Sequence, residues 1–363
     1  MDLHLTSEQS LLRDSAAKFA GAAGPKVARA LRGKDPSFSP ARLREAGDLG
    51  WLGMLVPTTA DGIGLGLTEL ALVLEQAGRA LVSEPVGLAA ISAAALAQGH
   101  APHPMLARAM RGEALVVPAT QESRHAADPR DVRTQAAGDR APRLTGTKVS
   151  VCADGAAGFL ASAAGPDGPS LYYVARDAAG LSLAAEPSVE GRALATLTLR
   201  DAPADLLPAR QSSRSAVEAL DDLALIALSA ELLGVMEGAQ EMTFAYLRIR
   251  KQFGKPIGSF QALQHKAVDI YIKTETTRSL LYQVAAANDP YRIDPAQAVA
   301  LKAKASQDAL EVTKACIQLH GGIGFTDEHD IGLYLKRAML LSSLNGNAAA
   351  QRRRYADIAE LTM

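Results

Sequence analysis

The chain has 363 residues, of which 48% are hydrophobic and 21% are charged, and its formal net charge at pH 7 is -1. A chain of this length can bury a large core and is expected to form about two or three domains, or one large domain. The near-zero charge offers no basic field to a phosphate backbone, which argues against nucleic acid as a partner.

Cysteine usage and the N-terminal segment bear on the compartment. Cys152 and Cys316 lie far apart and have no metal-ligand spacing around them, so we expect a reduced cytoplasmic protein without a metal site. The segment MDLHLTSEQSLLRDSAAKFA has scattered charges and no lysine-flanked apolar run, which predicts neither a signal peptide nor an anchor. No later stretch is long and apolar enough to predict a membrane span.

The first third of the chain predicts helices. Thr6 provides a hydroxyl cap ahead of an amphipathic run, and a second helical stripe of leucine, valine and alanine follows Thr68. The glycine-rich segment Gly62–Gly66 has no strand before it, and its spacing does not fit a dinucleotide-binding fingerprint. We therefore interpret this segment as a turn.

From about residue 114 the pattern changes to short strands. The strand-like runs are separated by clusters of glycine, proline and aspartate, without intervening helices. This arrangement predicts a small antiparallel barrel or sandwich. The runs are Ala114–Pro118, Lys148–Cys152, Phe159–Ala161, Leu171–Val174 and Leu194–Leu199.

After residue 208 long helical patterns return. One runs from near Ala216 to Arg250, another starts near Phe260, and a third opens with Asp294 followed by a proline and ends at His320. A last helix begins after the segment SSLNGN. Long helices joined by short loops predict an antiparallel bundle. The predicted domains are residues 1–112, 113–210 and 211–363.

Two segments at helix ends either bind a ligand or only turn the chain. In RKQFGKPIGSFQ, Arg250 offers a rigid fork of donors to a phosphate or carboxylate, and the alternative is a tight glycine-proline turn with capping charges. In QLHGGIGF, Gly321 and Gly322 form a helix C-cap or allow a diphosphate to approach the backbone. His320 suits acid-base chemistry or a packed, capping role. Spacing alone leaves these alternatives open.

The loop SSLNGN, residues 342–347, poses the same question. Serine, asparagine and glycine together are typical of a helix stop and an N-cap, and a ligand site is the alternative. We interpret Arg352–Arg354 behind the loop as a solvated helix face, with an anionic contact as the alternative.

Taken in order, these segments resemble the acyl-CoA dehydrogenase family over essentially the whole chain. The resemblance rests on LGWLG, on GLGLTE before its helix, on LTGTK before the β strands, and above all on RKQFGKPIGSFQ paired with QLHGGIGF. It implies an α+β fold with an N-terminal helical domain, a middle antiparallel β-barrel and a C-terminal four-helix bundle. The local patterns predict the same order.

The resemblance also implies FAD, held between the barrel, the bundle and a neighbouring subunit. Such a site is complete only in a dimer or tetramer, and His320 becomes a wall residue rather than a catalyst. The residues implied on the diphosphate and adenosine side of FAD are Arg250, Gln252, Phe253 and Gln261. The residues implied to approach the FAD of the adjacent protomer are Gln318, Gly321 and Gly322.

The implied reaction is the α,β-dehydrogenation of an acyl-CoA thioester, in which a carboxylate removes the α-proton and FAD accepts the β-hydride. The resemblance places the usual Glu at Asn345, and an amide cannot take this proton. The position that some relatives use instead falls on Ala224. Asp221 and Asp222 are the substitute candidates, although Asp222 corresponds to a residue that relatives use nearer the CoA end.

The implied flavin and CoA contacts also depart from the family. Ser150 and Cys152 stand where typical members have a Trp and a Thr beside the flavin ring, and the approach loop is reduced to QESR at residues 121–124. Leu225 replaces an arginine that often follows the CoA-side aspartate. Asn347 and the start of the last helix are expected to donate hydrogen bonds to the cofactor.

Three functions remain open at this point. The chain resembles the base-less subunit of bacterial hetero-oligomers that break down fatty acids, steroid side chains or other bulky acyl-CoA substrates, with a paralogous partner supplying the carboxylate. It could instead be a self-sufficient homotetramer that uses Asp221 or Asp222 as its base. The third hypothesis is a flavin- or CoA-binding partner without redox turnover. An electron-transfer flavoprotein, or a similar acceptor, would take the electrons in the first two cases.

Overall fold

The computed structural model describes residues 5–99, 101–124, 128–138, 140–208 and 215–360. Along the chain, helices come first, strands follow and helices return, as the sequence predicts. The expected domain boundary at residue 112 falls in the turn before the first strand, whereas the boundary at residue 210 lies outside the described residues. No described helix is long and apolar enough to cross a membrane.

The helices of the N-terminal block are α1 (Ser7–Gly21), α2 (Pro25–Leu31), α3 (Pro40–Asp48), α4 (Leu67–Arg79), α5 (Val86–Leu96) and α6 (Leu106–Met110). Thr6 caps α1 as predicted, because its Oγ1 accepts the N–H of Gln9 at 3.2 Å and the Gln9 side chain accepts the N–H of Thr6 at 3.1 Å. The glycine-rich segment is a turn that leads directly into α4. Most side chains of α4 and α5 are buried and form the core of this block.

The strands of the middle block are β1 (Leu115–Ala119), β2 (Gln135–Ala137), β3 (Arg143–Val151), β4 (Ala156–Gly165), β5 (Gly168–Ala175), β6 (Leu181–Glu186), β7 (Leu194–Pro203) and β8 (Asp205–Leu207). They pair in the order β6-β7-β3-β2-β4-β5-β8, and β1 joins through β4. Most pairs are antiparallel, as expected.

The sheet differs from the expected antiparallel barrel in two respects, the direction of two strand pairs and the closure of the barrel. Both β1 and β2 run parallel to β4, because the chain passes through β3 before β4 and a parallel pair needs such a crossover. Within the described residues the pairing is an open order, with β6 and β8 at its ends, rather than a closed ring.

The C-terminal block contains α7 (Ala216–Ile249), α8 (Gln261–Ala287), α9 (Pro295–His320), α10 (Ile331–Ser343) and α11 (Ala348–Glu360), with a hairpin of β9 (Lys251–Gln252) and β10 (Lys255–Pro256) after α7. Asp294 caps α9 as predicted, since its carboxylate accepts the N–H of Ala296 at 2.9 Å. Helix α9 packs against the other helices of this block and is its centre.

Arg337 of α10 joins the blocks. Its side chain is buried, and its Nη1 donates to the carbonyl of Val82 at 3.0 Å and to Glu231 of α7 at 2.6 Å. Its Nε donates to Glu190, which lies between β6 and β7. Burial lowers the pKa of Arg337, but the carboxylates of Glu190 and Glu231 outweigh burial and hold this pKa above its usual value. One guanidinium therefore donates hydrogen bonds to the N-terminal, middle and C-terminal blocks.

We expect Arg337→Met to destabilise the protein by about 3 kcal/mol, because it leaves the partly buried carboxylates of Glu190 and Glu231 without their buried cation. The free energy of unfolding in urea measures the loss. Adding Glu190→Gln and Glu231→Gln to Arg337→Met removes the unpaired charges and should restore much of the stability. Equal stability of wild type and the single variant would contradict this role of Arg337.

A second ionic cluster ties α4 to α7 and α8. Arg278 of α8 donates to Glu75 of α4 and Glu237 of α7, and the hydroxyl of Tyr282 donates to Glu75 at 2.6 Å. Glu275 also pairs with Arg278, at 3.3 Å. Burial and the neighbouring Glu75 carboxylate raise the pKa of Glu237 from 4.5 to about 8. The folded protein therefore retains a proton on this group at a pH where the unfolded chain has lost it.

A carboxyl whose pKa is raised on folding contributes stability that is present below its unfolded pKa and lost as the pH rises through its folded pKa. We therefore expect the stability that Glu237 contributes to decrease as the pH rises from about 4.5 to about 8. Glu237→Gln should flatten the dependence of stability on pH across that window. Thermal unfolding at several pH values measures it. Glu275→Gln, which alters a more exposed partner of Arg278, is the control and should keep the wild-type slope. An unchanged slope in Glu237→Gln would refute the assignment.

Candidate functional site

The loop between α10 and α11 has a strongly bent backbone. Asn345 and Gly346 both adopt left-handed conformations, with φ of 52° and 86°. Asparagine and glycine are the residues that tolerate this region best, which explains why the sequence turns here. The Asn347 side chain then accepts the N–H of Ala350 at 3.0 Å and caps α11. The structural interpretation of the loop is thus confirmed, and the Asn347 oxygen already has a partner.

Asn345 is held between the sheet and the bundle. Its N–H donates to Oε1 of Gln121 at 3.1 Å, and its side-chain Nδ2 donates to Oδ1 of Asp221 at 2.8 Å. Its carbonyl accepts a hydrogen bond from Gln351 of α11. The amide at this position is therefore a donor to a carboxylate, whereas the expected chemistry needs a carboxylate there.

The two substitute candidates for a base are both engaged. The Asp221 Oδ2 pairs with Nη1 of Arg354 at 2.5 Å, and Nη2 of Arg354 lies 3.5 Å from Asp222. Both aspartates are buried. Asp221 therefore accepts a hydrogen bond on each oxygen, from Arg354 on one and from Asn345 on the other. Ala224 and Leu225 are buried apolar side chains and supply no base.

Arg354 corrects part of the sequence interpretation. Arg352 and Arg353 are exposed, as expected of a solvated face, but Arg354 is buried in the ion pair with Asp221. It lies one helical turn from Gln351, which is also buried. That spacing is the signal that could have placed Arg354 on the inner face of α11.

The space beside Asn345 and Asp221 is small. A cavity of about 30 Å³ lies there, which is room for about one water molecule. The approach loop, residues 121–124, folds onto the sheet nearby. Glu122 accepts one hydrogen bond from Nζ of buried Lys148 at 2.5 Å and another from the Thr134 hydroxyl at 2.6 Å. Burial lowers the pKa of Lys148 to about 8, although Glu122 opposes this shift. These groups are satisfied inside the chain.

Ser150 and Cys152 lie at the end of β3. Ser150 has a left-handed backbone with φ of 56°, at a point where the pairing with β7 shifts register. Cys152 is buried in the hydrophobic core, and burial raises the pKa of its thiol to about 11. Cys152 therefore packs inward, into the core of the sheet region.

A second group of predicted residues clusters at one end of the C-terminal block. The ends of α7 and α9 meet there, since the rings of Tyr246 and His320 stack at 4.5 Å. Phe253 and Gly254 form the two-residue turn of the β9–β10 hairpin, both with positive φ, and Phe253 is 92% exposed. The exposed members of this group are Arg250, Gln252, Phe253, Gln261, Gln318, Gly321 and Gly322.

His320 is packed beneath that surface. Its Nδ1 lies 2.8 Å from the carbonyl of Cys316 and so must carry the hydrogen. Burial lowers its pKa, and its ring also lies 4.6 Å from that of His329. These contacts agree with a wall residue.

The chain matches known proteins over nearly its whole length. The sequence profiles "Acyl-CoA dehydrogenase, N-terminal domain" and "Acyl-CoA dehydrogenase, C-terminal domain" match residues 6–100 and 216–359. Acyl-CoA dehydrogenase IpdE2 of Mycolicibacterium smegmatis is 27% identical over 353 residues, which cover 96% of this chain and 98% of that protein.

Two solved structures share the fold. A variant of the Tcur3481-Tcur3483 steroid ACAD contains a chain that is 33% identical, with a TM-score of 0.91 and 98% of both chains covered. The ChsE4-ChsE5 complex from Mycobacterium tuberculosis contains a chain that is 27% identical, with a TM-score of 0.86 and 98% of both chains covered.

We expect Asn345→Asp to destabilise the protein by about 1–3 kcal/mol at pH 7, because it replaces a donor to Asp221 with a carboxylate. The loss should shrink toward pH 4, where one carboxyl of the pair can hold a proton. The urea midpoint at both pH values measures it. Asn345→Gly keeps the left-handed backbone and adds no charge, so its smaller loss should not depend on pH. A pH-independent loss in Asn345→Asp would exclude the expected repulsion.

Proposed function

We propose that this chain, which belongs to the acyl-CoA dehydrogenase family, takes part in the FAD-dependent α,β-dehydrogenation of an acyl-CoA thioester as one subunit of a hetero-oligomer. The partner subunit supplies the catalytic base. The observation that carries this proposal is the amide of Asn345, which donates to Asp221 at the position where the resemblance implies a proton acceptor.

The exposed surface around Arg250 fits the nucleotide end of FAD. Arg250 is exposed and makes no ion pair with another described residue, so its guanidinium is available to a diphosphate. A Cβ added at Gly321 or Gly322 would meet nothing within 4 Å, so the backbone is open to close approach. Gln252, Gln318 and the other residues of this group would complete the contact.

The flavin end fits this chain less well. Cys152 packs into the core, and Glu122 and Lys148 bind each other across the approach loop. Asn347 caps α11 with its side-chain oxygen, which leaves its amide group as the donor for a cofactor. We therefore propose that the partner's sheet domain holds the flavin ring, while Arg250 and Gln318 of this chain hold the adenosine end. FAD, when bound, supplies the hydride acceptor.

The two similar structures support a heteromeric assembly and a bulky substrate. The Tcur3481-Tcur3483 protein is a steroid ACAD, and ChsE4-ChsE5 is a complex. We propose the acyl-CoA of a steroid side chain, or a similarly bulky acyl group, as the substrate class. An electron-transfer flavoprotein or a comparable acceptor would reoxidise the cofactor.

A homotetramer with its own base is the second candidate, because Asp221 does line the cavity beside Asn345. In that case Asp221 would act as base while it also accepts hydrogen bonds from Arg354 and Asn345. Asp221→Asn would abolish such activity in the lone chain. The heteromeric function requires no catalysis by Asp221.

Coexpression with a base-bearing paralogue tests the proposal. We expect the complex to hold FAD and to bleach its flavin when mixed anaerobically with acyl-CoA, and the lone chain to hold little FAD. Replacement of the partner's base should stop bleaching, whereas Asp221→Asn in a folded complex should not. Full flavin occupancy and rapid turnover by the lone chain would overturn the heteromeric proposal. FAD binding without bleaching by any complex would point to a partner protein without redox turnover.

Arg250→Ala should weaken FAD binding by the complex about tenfold to a hundredfold, because a charge-assisted hydrogen bond to the diphosphate is lost. Fluorescence titration of the stripped complex with FAD measures the change. Arg352→Ala, at an exposed arginine of α11, is the matched control and should bind FAD like wild type. Equal binding by Arg250→Ala and wild type would remove Arg250 from the site.

A further inference from the structure

Lys302 of α9 is a fully buried amine beneath the Asn345 loop. Its Nζ donates to the hydroxyl of Ser306 at 3.0 Å, to the carbonyl of Ser342 at 3.3 Å and to the carbonyl of Gly346 at 3.3 Å. The two carbonyls lie on either side of Asn345 in the chain. One ammonium group therefore bridges both ends of the loop.

The loop needs such a donor because it follows a helix end. The carbonyl of Ser342 belongs to the last turn of α10, where helical carbonyls lack intrahelical partners. A second link ties the same turns together, since the Ser342 hydroxyl donates to the carbonyl of Ser306 at 3.2 Å. An apolar residue at position 302 would leave these buried carbonyls without their donor.

The charges around Lys302 are few. Among the described residues it forms no ion pair, and Asp221 of α7 is the charged group that acts on it. Asp221 in turn pairs with Arg354 of α11, while α10 contributes a carbonyl rather than a charge. Burial lowers the pKa of Lys302 to about 7, and Asp221 opposes this shift. The amine therefore changes its protonation near neutral pH.

We propose that Lys302 is a positioning residue, whose ammonium group fixes the loop from Ser342 to Gly346 and so holds Asn345 between Gln121 and Asp221. An ammonium has three N–H donors, which match the three acceptors present. The neutral amine has fewer N–H groups, so deprotonation of the ammonium group releases part of the loop. The importance of this loop for catalysis rests on the proposed function, but the anchoring itself does not.

Amide hydrogen exchange, followed by mass spectrometry on the full chain, tests the anchoring. In Lys302→Met we expect the amides of residues 343–347 to exchange about tenfold faster than in wild type at pH 6.5, with α7 and α8 unchanged. Lys304→Met is the matched control. This neighbour on the same helix is partly exposed and pairs with Asp308, and its loss should leave loop exchange at the wild-type rate.

The pH profile separates a positioning role from simple packing. After correction for intrinsic exchange, loop protection in wild type should fall between pH 6 and pH 8.5, across the pKa of about 7, and should be flat in Lys302→Met. The proposal would be overturned if the loop of Lys302→Met exchanged at the wild-type rate, or if loop protection in the wild-type protein did not change with pH. If Lys302→Met fails to fold, Ser306→Ala retains the amine and removes one acceptor, and should give a smaller rise in loop exchange.

Failure of the proposed function would appear differently. Absence of flavin bleaching in every reconstituted complex would refute the redox role and leave the exchange result unchanged. Normal bleaching together with unaltered loop exchange in Lys302→Met would refute the anchoring alone.

Discussion

The relative placement of the three blocks depends on the buried guanidinium of Arg337. Its donors reach Val82 in the N-terminal block, Glu190 in the sheet region and Glu231 in α7. A lysine has a single point of charge, whereas the fork of an arginine can serve acceptors in several directions at once. Because α10 carries Arg337 and runs directly into the Asn345 loop, fixing this helix also fixes where that loop meets its neighbours.

The arrangement around Asn345 depends on the balance of buried charges as well as on the position of the loop. Arg354 and Lys302 provide two buried cations near Asp221 and Asp222. A carboxylate at position 345 would add an anion 2.8 Å from an oxygen of Asp221, which the amide of Asn345 instead satisfies as a donor. The amide at position 345, where the resemblance implies a base, and the internal pairing of Asp221 are therefore compatible features of one network. The same network leaves space for about one water beside it.

Local sequence signals predicted α1, α4, α7, α8, α9 and α11, and the caps of α1 and α9. Thr6 and Asp294 cap their helices through backbone groups within three residues, so the sequence nearby holds the whole signal. The strands β2, β6 and β8 were not predicted. β2 and β8 have only three residues each, too few to show an alternating pattern, and in β6 the alternation of Leu181–Leu183 stops at two alanines. The parallel pairing of β1 with β4 depends on packing of distant segments and has no local signature.

The candidate site was predictable in part. The family resemblance pointed to Asn345 and the Arg250 surface, and neither needs a tertiary contact to be noticed. Lys302 was missed because its carbonyl partners lie 40 and 44 residues away in sequence. The inward side chain of Arg354 was missed because three adjacent arginines resemble a solvated face unless the buried Gln351 marks the inner side of the helix. The sequence alone did not predict which polar groups that are distant along the chain pair with each other.

The two halves of the expected cofactor site differ in how their polar groups are used. Asn345, Asp221 and Glu122 already have hydrogen-bond partners within the chain, and a substrate would compete with those partners. Arg250 and Gln318 are exposed on the other surface, where a partner or ligand would gain contacts without breaking internal ones. Exposed Phe253 and Phe325 add apolar area to that surface. This difference favours a division of labour, in which the chain lends a binding surface to a site whose reactive groups lie in another subunit.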